Sequence, residues 1–167
     1  MRWLAAGLLC LSFTVSASDL GGGPAKADVA LWVAQEANAA RAQAGLTPMP
    51  LDSGLSRVAL SHSLNMGTRS FWGHVDPEGR TPRLRVVEAY RDFRGGVAEN
   101  LWKCSGCGQL GGEELARRAV RAWLESPGHR QNLLHPQATH CGIGVWVEGD
   151  SVYVTQVIAV FAGSARR

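Results

Sequence analysis

The stretch CGIGVWVEGDSVYVTQVIAVF, residues 141–161, constrains the fold more than any other. Cys141, Ile143, Val145 and Val147 alternate with Gly142, Gly144 and Trp146, a period of two that suits a strand and not a helix. Glu148-Gly149-Asp150-Ser151 is turn chemistry. The run VYVTQVIAVF that follows is apolar enough for a strand covered on both faces. Such a hairpin needs partners, and the patterned segments before it are helical. The expected fold class is therefore α+β, an antiparallel sheet with helices packed over it.

Four helical segments precede the hairpin. From Asp28 to about Ala44, Val29, Val33, Ala37, Ala40 and Ala44 share one face, and Gly45 ends the run. Asp52 or Ser53 caps a second helix carrying Leu55, Val58, Ala59, His62 and Met66, which ends near Gly67. Thr81 caps a short third helix with Pro82 at its first position. DFRGGVAENLWKCSGCGQLGG reads as loop with a short strand around Gly96 to Asn100. A fourth helix spans Glu113 to Glu125, with Leu115, Ala119, Ala122 and Trp123 on one face. Glu113 and Glu114 each stand four residues ahead of an arginine.

The N-terminus is read separately. Residues 1–17 have the form of a signal peptide: Arg2, the apolar run WLAAGLLCLSF, and small residues placing a cut after Ala17. The run is too short to cross a bilayer as a helix. Leu9 is bulky where a lipoprotein has a small residue before its cysteine. Residues 18–27 form a flexible leader, and residues 28–163 one domain. We expect a secreted protein, periplasmic or extracellular, monomeric, with no transmembrane segment in the mature chain.

Export leaves Cys104, Cys107 and Cys141, an odd number in a compartment that allows disulfides. The expected bond is a staple from Cys104 or Cys107 to Cys141. A redox CxxC, or a zinc site completed by His140-Cys141, are the alternatives. The formal charge is +3, carried almost wholly by arginine, and no basic run is interleaved with aromatics, which argues against nucleic acid as a partner. HExxH, GxSxG, P-loop and dinucleotide-binding signatures are absent.

Ser126-Pro127-Gly128-His129 interrupts a helix that otherwise has no reason to stop. The residue before a proline leaves the helical region, so Ser126 ends one helix and caps the next, with Pro127 at its first position. His129 then lies in a first helical turn, where the partial positive charge favours neutral imidazole, the form that binds metal or accepts a proton. His74 precedes Asp76-Pro77-Glu78-Gly79, a type I turn by composition. Glu99 is flanked by Val97, Ala98, Leu101 and Trp102, so its carboxylate is expected near apolar surface, as a structural acceptor or a semi-buried acid or base. His62 reads as the edge of the core, and Glu125 as a solvated helix end.

These stretches, in order, resemble the CAP superfamily of cysteine-rich secretory, antigen 5 and pathogenesis-related 1 proteins (the SCP domain), in its bacterial secreted branch. NAARAQAGLTPMPLDSGLSRVALSHSLNM is similar to its first two helices and GHVDPEGRTP to its histidine turn. AENL at Ala98–Leu101 is similar to its Glu-Asn motif. AWLESPGHRQNLL matches its Ser-Pro-Gly-His-Arg segment, and GIGVW with VYVTQV its terminal hairpin. The resemblance implies a three-layer α-β-α sandwich whose cleft is lined by histidines and acids and in some members holds zinc. His74 and Glu99 match cleft positions. Tyr153 stands where many members carry histidine, Glu125 only approximates their second glutamate, and His129 takes the place of the missing histidine. The function implied is a ligand-binding or interaction module for a divalent cation, a lipid or a peptide. Its partner would be a small ligand, a lipid, or a cell-envelope or extracellular protein. The alternative is a metal-assisted hydrolase with Zn²⁺ on His74 and His129.

Overall fold

The computed structural model describes residues 26–162. The signal-peptide reading, the leader up to residue 25 and the end of the chain lie outside the described residues. The elements are α1 (Lys26–Gln43), α2 (Ser53–Thr68), α3 (Pro82–Ala89), β1 (Gly95–Ser105), α4 (Gly112–Glu125), α5 (Pro127–Leu133), β2 (His140–Glu148) and β3 (Ser151–Phe161). The first helix thus starts two residues ahead of Asp28. Among the described residues no helix is long and apolar enough to cross a membrane.

The sheet is antiparallel in the order β1-β3-β2, which puts the most apolar strand in the middle. Successive side chains take opposite faces. On one face Val152, Val154 and Ile158 of β3 join Cys141, Ile143 and Val145 of β2. They pack against Val33 and Ala37 of α1, Leu115, Ala119 and Trp123 of α4, and Leu133 of α5. On the other face Val157 and Ala159 meet Leu55, Val58 and Ala59 of α2, Val86 of α3, and Phe93. The result is the expected three-layer α-β-α sandwich. Gly142 and Gly144 explain how close α2 comes. A Cβ on either would strike the α2 backbone, at Leu55–Ser56 and at Ala59–Leu60 respectively.

Local chemistry sets the helix ends. Asp52 Oδ1 accepts from the Leu55 N–H at 2.8 Å and also from the Tyr90 hydroxyl. Thr81 caps α3 through the Leu84 N–H at 3.2 Å, ahead of Pro82. Ser126 occupies the N-cap of α5 with extended backbone, but its side chain makes no capping hydrogen bond there, contrary to expectation. Arg41 clamps the far end of α5. Fully buried, it donates from one NH group to the carbonyls of Leu133 (2.9 Å) and His135 (3.0 Å). Cationic donors at a helix C-terminus satisfy its orphan carbonyls.

Two expectations need correction. Strand β1 runs to Ser105 rather than Asn100, because its pairing with β3 continues without a break to Ser105 opposite Ser151. The disulfide joins Cys104 to Cys107, and Cys141 is a buried free thiol. The ladder gives the reason. Cys104 lies opposite Val152 while Cys141 lies opposite Ile158, six residues further along β3, or roughly 20 Å of strand. No staple to Cys141 can form across that distance.

Candidate functional site

Strand β1 is an edge of the sheet, and Glu99 and Asn100 project from it to opposite faces. Glu99 turns toward α2 and α3, and both of its oxygens are engaged. Oε1 accepts the Nδ1–H of His74 at 2.9 Å. Oε2 accepts from the Arg85 guanidinium at 2.7 Å. His62 Nε2 lies 3.8 Å from Oε1. Glu99, Arg85 and His62 are all buried. A carboxylate is tolerated there because it is paired and hydrogen-bonded.

The same residues hold the main chain that carries His74. The His62 Nε2–H donates to the Gly73 carbonyl at 2.9 Å, and Arg85 NH1 donates to the carbonyls of His74 (2.9 Å) and Arg80 (2.8 Å). Beyond His74, the Gly79 N–H closes the Asp76-Pro77-Glu78-Gly79 turn onto the Asp76 carbonyl at 2.8 Å, as its composition predicts. The Asp76 carboxylate accepts from the Arg80 backbone and side chain, both at 2.8 Å. Burial would raise the Asp76 carboxyl, but these bonds outweigh it and hold it below the usual range. His74 is thus fixed at ring and backbone. With Nδ1–H on Glu99, its Nε2 lone pair is free, and its side chain is 49% exposed.

Asn100 organises the opposite side. Its Nδ2 donates to the His129 carbonyl and to Gln156 Oε1, both at 3.1 Å. Asn132, one helical turn after His129, donates to Asn100 Oδ1 at 3.0 Å and to the Glu99 carbonyl at 3.3 Å. These bonds dock α5 on the strand edge and bring the His129 ring beside His74, with centroids 6.4 Å apart. Burial and the neighbouring His74 push the His129 imidazole below its ordinary value. Neutrality was expected from the helix terminus; burial is the largest cause given by the structure. Burial likewise pushes His62 down, more than Glu99 raises it.

From His129 a groove of about 690 Å³ runs along the strand edge, lined by Trp72, Leu101, Trp102, Lys103, Trp123 and Ser126 among others. Trp72 is half exposed, whereas Trp123 is fully buried and donates its indole N–H to the Leu101 carbonyl at 3.0 Å.

The structure therefore brings His74, Glu99 and His129 together. Glu125 does not join them: it is exposed on α4 and pairs with Arg121 at 2.9 Å. Tyr153 is buried with Met66 and Leu101, its ring 4.9 Å from the Lys103 ammonium and 6.4 Å from Trp72. It supports the groove from beneath. Arg85 and the two asparagines escaped the sequence reading, and His62 was read only as core edge. A signal existed for His62: a polar ring on the apolar stripe of α2 needs a buried partner.

As a metal site the arrangement is incomplete. Among the described residues no group of three or more His, Cys, Asp or Glu is placed to hold an ion. A tetrahedral ion joining two imidazoles holds their centroids roughly 5 Å apart, closer than His74 and His129 stand. The donor chemistry at His74 does fit, since a metal-binding histidine ordinarily gives its other N–H to a carboxylate.

Comparisons with known proteins agree with this fold. The chain is 32% identical over 126 residues to YkwD of Bacillus subtilis (strain 168), covering 75% of this chain and 45% of YkwD. It thus spans less than half of that relative. Among solved structures it is similar to an extracellular SCP-domain protein of Bacillus anthracis str. Ames (TM-score 0.69, 24% identity, 89% of this chain and 45% of that one). It is also similar to an outer surface protein of Borrelia burgdorferi (TM-score 0.72, 19% identity, 86% of this chain and 100% of that one). NaASP2, solved with Zn²⁺, shares the fold at TM-score 0.58 and 14% identity, over 83% of this chain and 82% of that one. The family model for the cysteine-rich secretory protein family, CAP, matches residues 35–161. The chain belongs to the CAP family.

Proposed function

We propose that this protein is a secreted recognition module whose cleft binds an extended peptide segment of a cell-envelope or extracellular protein. The observation that carries the reading is the burial of Glu99 with both oxygens partnered. With one oxygen on His74, the other on Arg85 and only 4% of the residue exposed, the acid of the cleft orients its neighbours instead of meeting a substrate. The groove itself is lined by His129, Trp72, Trp102, Lys103 and Ser105, with His74 beside His129 at its end. This mixed lining in an open groove suits peptide side chains and amides better than a lipid tail, which calls for an enclosed apolar cavity. The extracellular and surface relatives support export.

Titration of the intact protein with a pool of short aromatic peptides, read by tryptophan fluorescence, tests this. We expect saturable binding that Trp72→Ala and His129→Ala each weaken at least about tenfold. Peptides that bind no better than vesicles of neutral lipid would sink the peptide reading.

The Glu99–His74 pair itself favours a second reading, metal-assisted hydrolysis. A histidine fixed by a carboxylate presents Nε2 to an ion, His129 is a second ligand after a small ring movement, and a bound zinc would supply activated water. Calorimetric zinc titration of metal-stripped protein with its thiols blocked, beside the His74→Ala/His129→Ala double variant, decides it. Stoichiometric binding lost in the variant raises this reading; binding absent, or unchanged, removes it.

A further inference from the structure

A second pocket, of about 310 Å³, opens between α2 and α3 on the far side of the Glu99 cluster. Its α2 wall presents Arg57, Ser61 and Asn65, spaced four residues apart and therefore stacked on one helical face. Its other wall comes from Arg80, Arg85, Glu88 and Ala89. Val58 and Ala89 give it some apolar surface.

The pocket has more donors than acceptors. Among the described residues, the exposed Arg57 side chain has no ion-pair partner, and the Ser61 hydroxyl carries no hydrogen bond. Asn65 gives its side-chain oxygen to Arg69 at 3.2 Å, which leaves its amide hydrogens free. Arg85 is 7% exposed, with NH1 and NH2 engaged, yet its Nε has no partner. His62, 1% exposed, also lines this wall; its ring proton sits on Nε2 toward Gly73, so its unpartnered Nδ1 adds an acceptor and not a donor. Buried polar atoms without partners are rare and call for an explanation. The one acid on the wall, Glu88, stands 3.7 Å from Arg80 NH1. Arg80 is further matched by Asp76 and Glu78, and Arg85 by Glu99. Arg57 alone among these arginines has no ion pair with a described residue.

We infer that the α2–α3 pocket binds a small organic anion through a phosphate or carboxylate group held by Arg57, Ser61, Asn65 and Arg85. Guanidinium groups recognise both oxyanions through charge-assisted bonds, the volume admits a small ligand, and the apolar wall takes its carbon portion. The site is separate from the cleft and does not depend on the peptide reading. The two share one group, since Arg85 holds Glu99 and the His74 carbonyl from the same guanidinium that lines the pocket.

The test is an NMR titration of the intact protein with methyl phosphate and, separately, with acetate, following the Asn65 side-chain amide and the arginine Nε signals. Saturable shifts at Asn65 and Arg85 are expected. Arg57→Gln should weaken binding at least about tenfold, and Ser61→Ala a few-fold. Both positions are exposed, so the unfolding midpoint should not move. The stronger of the two probes identifies the oxyanion. The inference is overturned if neither anion gives saturable shifts, if Arg57→Gln binds like wild type, or if the shifts centre on His74 and His129.

Discussion

The two faces of the sheet are built from different materials. Toward α1, α4 and α5 lies a nearly continuous apolar core, from Val29 through Trp123 to Ile158, with buried Arg41, Asn100 and Gln156 where α5 docks. Toward α2 and α3 the apolar cluster is smaller, and Ser63, Thr155, His62, Arg85, Asp76 and Glu99 are buried beside it. Apolar burial is non-directional, so the first face fixes the layers. Hydrogen bonds are directional, and a buried network holds its members in one arrangement. The network of the second face therefore does what apolar packing cannot: it fixes the direction of His74, as the Asn100 network docks α5 and places His129. The candidate site sits where the core gives up hydrophobic area for geometry.

The largest way to break this contrast is Trp123→Ala. It removes the largest buried side chain of the apolar face and leaves the Leu101 carbonyl without its donor. We expect a loss of roughly 5 kcal/mol in chemical denaturation, at the upper end for such truncations. A loss of about 1 kcal/mol, ordinary for any substitution, would show that the apolar face does not carry the fold. Next comes Arg85→Met. It strands Glu99 as an unpaired buried charge and should cost about 3–4 kcal/mol, whereas adding Glu99→Gln should restore much of that loss. If the double variant is no more stable than the single one, Arg85 acts by packing and the polar face is less different than it looks.

Much of the apolar face was legible in the sequence, and little of the polar one. Helix periodicity placed Val33, Ala37, Leu115 and Trp123, and the residues of the caps gave Thr81–Pro82 and Pro127. These are local rules in which neighbours three or four apart decide the outcome. The alternation of Gly142 and Gly144 announced a strand, though what approached those glycines became visible only when α2 was in place. Arg85 and Glu99 are partners because β1 lies alongside α3, which no local pattern encodes. His74 and His129, 55 positions apart in sequence, were linked only through the family resemblance. The cysteine staple failed for the same reason: counting thiols says nothing about their separation along β3.

Smaller in effect, and aimed at the histidines and not the apolar contacts, is acid. The unfolded chain protonates its histidines below about pH 6.5, while folded His62 and His129 resist because burial lowers both. The unfolded state then binds more protons than the native one. Stability therefore rises with pH through this window and falls as pH drops below about 6.5. Asp76, held low, binds its proton more weakly in the native state too, but its contribution is lost only in a more acidic window, below about pH 4. Urea midpoints at about pH 7.5 and about pH 5 should differ more for wild type than for His62→Asn. Equal differences would place the acid sensitivity elsewhere.

The smallest effect concerns the sulfurs, which lie on the apolar side. The Cys104–Cys107 bond closes a loop of sequence separation 3, so its removal should cost no more than about 2 kcal/mol on chain-entropy grounds. Cys141 is fully buried at the start of β2, and burial pushes its thiol up to about 12. At about pH 8 its thiolate fraction is then on the order of 1 in 10⁴. Iodoacetamide should leave it unmodified in the folded protein and alkylate it once in denaturant. A non-reduced peptide map should show Cys104 linked to Cys107. Rapid native labelling would mean that the apolar face opens at β2, and with it the contrast between a rigid core and a tuned site would fail at the strand that both helical layers share.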